Sequence, residues 1–240
     1  MTTAIIVQAR LGSTRLPGKV LMPLAGTTVL EEMLRRCRAI PGADVVVCAI
    51  PEDTADDALI APATRAGAVV ARGSAGDVLG RYRKAADQVD ADVVVRITSD
   101  CPLADPGLCG DVIALRAARG VDYAANNMPP RFPHGLDCEA FTAQSLRRAD
   151  DAARDPYERE HVTPWLRRNP AITRATLDGP GGDAAQQRWT LDFPEDYAFF
   201  QAVFAQLPPP PAIPDWRATL AVIDAHPEIS AINAARRVQR

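Results

Sequence analysis

The chain alternates between apolar runs of strand length and stretches with helical spacing, and this alternation narrows the choice of fold more than any other feature. Ala4-Ile5-Ile6-Val7 is an unbroken apolar run, as expected of a parallel strand covered on both faces. Val29, Met33 and Cys37 recur every fourth position with Leu30 and Leu34 beside them, which marks one face of a helix. The pattern repeats: a strand over 44–50, a helix over 54–67 with Thr54 as N-cap and Asp56-Asp57 in its first turn, and a strand over 68–71. A helix over 77–89, a strand over 92–98 and a helix over 106–119 follow, with Asp105 as the N-cap before Pro106. A βαβαβαβα order implies a mostly parallel sheet with helices on both faces. Ligands of such sheets sit beyond the carboxyl ends of the strands.

The pattern changes after about residue 124. Residues 126–135 are rich in Pro and Asn, and a short strand over 139–141 and helices over 143–152 and 156–167 come next. Residues 126–170 are expected to form a small α+β lobe laid over the sheet edge. Arg188-Trp189-Thr190-Leu191-Asp192 reads as a last strand, followed by a helix over 194–207. Residues 1–207 then form the main domain. Residues 208–240 are a Pro-rich spacer (Pro208-Pro209-Pro210-Pro211) and a tail with a helix over 215–225.

Composition removes several functional classes. The net charge of −3 gives no global field for nucleic acid or an acidic membrane. Five cysteines with no CxxC spacing offer neither a disulfide framework nor a zinc site. No apolar run approaches the roughly 20 residues of a membrane span, and Met1-Thr2-Thr3 enters a strand without a basic leader. The expectation is a cytoplasmic protein that binds neither nucleic acid nor membrane.

Two strand ends carry unusual chemistry. The first loop, Ala9 to Lys19, holds the cations Arg10, Arg15 and Lys19, the glycines Gly12 and Gly18, and the hydroxyls of Ser13 and Thr14. A triphosphate needs this combination: glycines let backbone N–H groups approach the phosphates, and the cations bind their oxygens. The loop is not a Walker P-loop, because Val20 follows Lys19. The second place is Asp100, just past the strand over 92–98, which Asp192 would join at the same sheet edge. Two carboxylates plus phosphate oxygens suit Mg²⁺. For a lone Asp, the plainer alternative is a turn or strand-end cap.

These residues also carry a resemblance. Gln8 to Leu21 resembles the signature of the cytidylyltransferase family, which includes acylneuraminate and 3-deoxy-manno-octulosonate cytidylyltransferases, and most closely the branch typified by the spore coat polysaccharide biosynthesis protein SpsF. The likeness continues in order through Arg72-Gly73-Ser74, residues 96–103, Pro133-His134-Gly135-Leu136-Asp137, residues 157–164 and residues 188–192. One departure is Ser99, where the family commonly has Gly.

The resemblance implies a Rossmann-like, GT-A-type nucleotidyltransferase sandwich. It implies an Mg²⁺-dependent enzyme that transfers CMP from CTP (or another NMP from its NTP) to a sugar acid or related small-molecule acceptor, and a homodimer. Arg10, Lys19 and Asp100 are the expected catalytic residues. Ala9, Arg10, Gly12, Ser13, Arg15, Lys19, Arg72, Ser74 and Asp100 are expected to bind the nucleotide, and Asp100 and Asp192 the metal. For Arg72 and Ser74 a helix-capping turn is the alternative. Candidates for the acceptor are Arg96, Asn127, Asp137, Glu139, Glu160 and His161; Arg96 can equally pair with a carboxylate, Asn127 can serve a turn and His161 can be a packed helix residue. A glycosyltransferase of the same fold would carry an Asp-x-Asp motif, and none occurs near Asp100. A non-catalytic module would have lost loop cations or a carboxylate, and all are present.

Overall fold

The computed structural model describes residues 1–237, and the last three residues of the expected tail, 238–240, lie outside the described residues. Strand β1 (Thr3–Gln8) leads through the cationic loop to a two-stranded hairpin, β2 (Pro23–Leu24) and β3 (Thr27–Thr28), and then to α1 (Val29–Arg38). Next come β4 (Val45–Pro51), α2 (Ile60–Arg65), β5 (Val69–Gly73), α3 (Val78–Gln88), β6 (Val93–Thr98) and α4 (Pro106–Arg119). Asp105 caps α4 as expected, its carboxylate accepting from Leu108 N at 2.7 Å.

The second half contains β7 (Tyr123–Ala125), β8 (Glu139–Thr142), α5 (Ala143–Ala152), α6 (Pro156–His161), α7 (Pro164–Arg168) and β9 (Arg174–Thr176). It ends with α8 (Gly182–Ala185), α9 (Pro194–Gln206), α10 (Trp216–Ala225) and α11 (Pro227–Ile232). The main sheet has the order β5-β4-β1-β6-β8-β7-β9. Strand β8 pairs antiparallel with both β6 and β7, whereas the other pairings are parallel.

Side chains on the strands explain the layering. Ile5 and Val7 of β1 face one core cluster with Leu30, Met33 and Leu34 of α1. Ala4 and Ile6 face another with Leu79, Tyr82 and Ala85 of α3. Successive strand residues point to opposite faces, so the unbroken apolar runs are what a sheet between two helical layers requires. Each fully buried branched side chain contributes about 1.5–3 kcal/mol. A third cluster, with Trp189, Leu191, Phe199, Phe200, Trp216, Ile223 and Ile229, joins α9 and the C-terminal helices to the cationic-loop hairpin.

Four sequence expectations change. Thr54 is not an N-cap: Asp53 caps a 3-10 turn over Thr54–Leu59, and the α-helix starts only at Ile60. Pro62 dictates this, since it is tolerated in a first helical turn but not in a helix interior. The helix expected over 156–167 breaks at Val162-Thr163, because Pro164 cannot donate to the carbonyl four residues earlier and instead starts α7. The strand over 139–141 is not part of a lobe over the sheet edge; as β8 it lies inside the sheet, between β6 and β7. Residues 188–192 are not a strand: they make one bridge, Arg188 to His134. Trp189 and Leu191 enter the third core cluster, and that alternation imitates a strand.

The change of sheet direction is held by one buried carboxylate. Glu139 is opposite Arg96 in the β6–β8 register and is 1% exposed. Arg96 donates to one oxygen at 2.7 Å; Arg167 Nη2 at 2.7 Å and Thr163 Oγ1 at 2.7 Å donate to the other. Burial alone would raise the pKa of Glu139, but Arg96 and Arg167 lower it from 4.5 to about 2. Its ionisation therefore stabilises the fold fully above pH 4.5, and that contribution is lost as pH falls towards about 2. Removing one partner of a buried ion pair costs about 3–5 kcal/mol. Glu139→Gln should lower stability by that order at pH 7 in urea denaturation. Its deficit against the unaltered protein should shrink steadily as the pH is taken from 4.5 towards 2; a deficit independent of pH would assign the loss to packing.

Candidate active site

A cavity of about 450 Å³ opens at the carboxyl ends of β1 and β6, where the sheet topology leaves room beside the helices. The first loop forms one wall. Its turn is fixed by backbone bonds from Ser13 N and Gly18 N to Leu11 O (2.8 and 3.0 Å), and by Asp56, which accepts from Leu11 N at 2.6 Å. Gly18 has φ 70°, a left-handed conformation open to glycine. This turns the chain so that Lys19 enters the site from the start of a 3-10 turn.

The opposite wall carries the two aspartates. Lys19 Nζ lies 3.1 Å from Asp192 Oδ1 and 3.6 Å from Asp100 Oδ2, so one ammonium faces both carboxylates. It also donates to Leu191 O at 2.5 Å. Arg15 adds a second cation, with Nη2 2.9 Å from Asp192 Oδ1, and Arg188 Nη2 is 3.2 Å from Oδ2. Burial would raise the pKa of Asp192, but Lys19 and Arg15 hold it down at about 2. Leu191 N donates to Asp100 O at 2.7 Å, which fixes the two aspartate-bearing segments against each other although they share no strand ladder.

The Pro133-His134-Gly135 motif has a packing role in this arrangement. Trp189 N donates to His134 O at 2.6 Å. Gly135 has φ 114°, and a Cβ there would lie 2.0 Å from Trp189 O. Only glycine lets this loop approach the segment that carries Asp192.

Of the residues singled out in the sequence, the cavity brings together Ala9, Arg10, Ser13, Arg15, Lys19, Arg96, Asp100, Glu160, His161 and Asp192. Gly12 lies in the loop but does not line it. Arg72 turns away, pairing with Asp57 at 2.6 Å and donating to Asp53 O at 3.2 Å. Ser74 takes the turn role: its Oγ accepts from Asp77 N at 3.2 Å, and Asp77 in turn caps α3. Asn127 accepts from Arg167 Nη2 at 2.8 Å, and Asp137 from Gly135 N at 3.4 Å. Glu139 spends its carboxylate on the buried arginines.

The cavity also contains Thr14 and Ser99, noted in the sequence without an assigned role, and Gln8, Val78, Arg81 and Thr98. Arg81 is the notable addition. It is 2% exposed, its Nη1 donates to Ser74 O at 2.6 Å, and its Nε finds no hydrogen-bond partner among the described residues. Burial pushes its pKa down, and nearby Arg10 acts in the same direction. The signal was in the sequence: Arg81 falls at the i+3 position from Val78, on the face of α3 that also presents Tyr82 and Ala85 to the core. Cys101, beside Asp100, is buried, and burial drives its thiol pKa well up.

A mostly parallel sheet between helical layers, a Gly-containing cationic loop after the first strand, and two aspartates facing one lysine are the arrangement expected of a nucleotidyltransferase. The family model for cytidylyltransferases matches residues 4–207. The chain is 36% identical over 207 residues to the spore coat polysaccharide biosynthesis protein SpsF of Bacillus subtilis, covering 83% of this chain and 85% of that one. A solved cytidylyltransferase from Leptospira borgpetersenii superposes with a TM-score of 0.90 at 33% identity, over 95% of this chain and 96% of that one. A CMP:2-keto-3-deoxy-manno-octonic acid synthetase solved with CTP shares the fold, with a TM-score of 0.66 at 17% identity over 86% of this chain and 99% of that one. This chain belongs to the cytidylyltransferase family. Among the described residues no helix is long and apolar enough to cross a membrane.

Among the described residues Lys19 is the one cation paired with both aspartates, and replacing it removes that link. Lys19→Ala should lower turnover by about 10²–10³-fold, the range for a lost preorganised charge, with the far-UV circular dichroism spectrum unchanged. Near-normal turnover would take Lys19 out of the mechanism.

Proposed function

We propose that this chain transfers CMP from CTP to an oxygen of a sugar acid, with release of pyrophosphate. The observation that carries the reading is the convergence of Arg10, Arg15 and Lys19 with Asp100 and Asp192 around one cavity. The new bond joins the acceptor oxygen to the α-phosphorus, and the bond from that phosphorus to the β-phosphate bridging oxygen breaks. Negative charge gathers on the leaving pyrophosphate, where Arg10, Arg15 and Lys19 stabilise it. Arg10 pairs with no carboxylate among the described residues, so it is available to a phosphate without first breaking a bond.

Asp100 and Asp192 suit Mg²⁺ or a similar divalent ion: they are hard oxygen donors, both within reach of one ammonium, and Mg²⁺ takes few ligands from protein and the rest from phosphate and water. Such an ion would neutralise charge on the α-phosphate. The cations that now pair with Asp192 are those a triphosphate attracts, so nucleotide and metal should each favour binding of the other.

The acceptor side has its own support. A second cavity, of about 470 Å³, shares Arg96 and His161 with the first and adds Arg167 and Arg168. Arg96 and Arg167 share the single carboxylate of Glu139, which leaves a net positive charge beside the cavity. An acidic acceptor matches that charge. Arg168 is 61% exposed, and its contacts are a 3.6 Å pairing with Glu158, a 3.3 Å bond from Nε to Pro164 O and a place over the Tyr157 ring, so its loss should act mainly on the acceptor.

The test is pyrophosphate release with each nucleoside triphosphate, a divalent ion, and paired acceptors with and without a carboxylate. Release is expected with CTP and an acidic sugar, and is abolished by a chelator. Transfer from a nucleotide sugar in place of CTP would overturn the reading. Arg168→Ala should raise the KM for the acidic acceptor about tenfold, the equivalent of about 1.4 kcal/mol, while the KM for CTP stays unchanged.

A further inference from the structure

Asp192 sits on no strand, so its position depends on side chains. Its own N–H and that of Phe193 both donate to Asp196 Oδ2, at 2.9 and 3.0 Å. Asp196 is fully buried and is gripped by the Arg188 fork, with Nε 2.8 Å from Oδ1 and Nη2 2.8 Å from Oδ2. The same Nη2 reaches Asp192 Oδ2 at 3.2 Å. The Arg188–Asp196 pair is thus the frame that aims the Asp192 carboxylate.

That frame is completed from the C-terminal tail, beyond the residues 4–207 that match the family. Asn233, 1% exposed, donates Nδ2–H to Asp196 Oδ1 and to Arg188 O, both at 3.0 Å. Ile229 packs into the core cluster that holds Trp189 and Leu191. Arg237 donates to Gln187 Oε1 at 3.3 Å and to Ser230 O at 2.8 Å. The tail therefore touches the segment 187–196 through a buried polar contact, an apolar contact and a surface contact.

We infer that Asn233 is a positioning residue for the site, locking the Arg188–Asp196 pair so that Asp192 presents its carboxylate in one orientation. A neutral amide suits this place. It satisfies two acceptors at once and adds no charge beside a pair already balanced, whereas a second cation or carboxylate there would compete with Arg188 or repel Asp196. The inference rests on the reading of Asp192 as a metal ligand. Groups that orient metal ligands change metal affinity about 10–100-fold when lost.

The test is Asn233→Ala in the full-length protein, with the divalent-ion dependence of turnover measured separately from CTP binding in the absence of metal. The ion concentration for half-maximal rate should rise about tenfold or more. CTP binding without metal should stay within about twofold of the unaltered protein, and Asn233→Ser, which keeps a short donor, should recover part of the metal affinity. A lowered melting temperature with an unchanged ion requirement would overturn the inference and leave Asn233 a folding contact. So would an equal loss of metal-free CTP binding, which indicates general loosening of the cavity. If Asn233→Ala does not fold, Asn233→Ser carries the same comparison. Unaltered protein that needs no divalent ion would sink the metal reading itself, a result read before any variant.

Discussion

The carboxylate of Asp192 is held by three cations from two distant parts of the chain: Arg15 and Lys19 on the first loop and Arg188 on the C-terminal side. Much of the site depends on this contact. It brings the loop after β1 to a segment that has no strand pairing of its own, and it closes one wall of the cavity. Under the proposed function, a bound triphosphate would compete for Arg15 and Lys19 and release Asp192 to another cation. On that proposal the pairing of Asp192 with Arg15 and Lys19 keeps each charge compensated until phosphates and metal take over.

The same balance of buried charge shapes the second cavity. Glu139 is saturated by Arg96, Arg167, Thr163 and Tyr123, so it serves as the counter-charge that allows two arginines to stand beside a cavity. Its position opposite Arg96 follows from β8 running antiparallel between β6 and β7. The reversal of one strand in an otherwise parallel sheet is therefore what places a carboxylate between the two arginines. A lobe outside the sheet would not have supplied that pairing.

Much of this was legible in the sequence, and for identifiable reasons. The strands β1, β4 and β6 announce themselves because burial on both faces demands unbroken apolar runs, and helix α4 because Asp105, Pro106 and Gly120 mark both of its ends. The loop cations could be assigned to phosphate because they follow directly on the first strand, where the topology puts a ligand. The short strand β9 was not visible: three residues carry too little periodicity. The segment 188–192 imitated a strand because Trp189 and Leu191 alternate into a core made of helices. Arg72 and Arg81 show the limit from both sides. Each is an arginine close to the end of β5, yet Arg72 is drawn off by Asp57 and Arg81 lines the cavity.

The sequence by itself determined the class of fold and singled out the cationic loop and the two aspartates, because hydrophobic period and motif spacing are local properties. Only the tertiary structure decided which side chains meet. It set Lys19 between Asp100 and Asp192, enclosed Glu139 within the sheet, and carried Asn233 back to the Arg188–Asp196 pair. Those contacts span up to 173 residues along the chain, and they follow from how the layers pack and where each charge finds its partner, which no local pattern records.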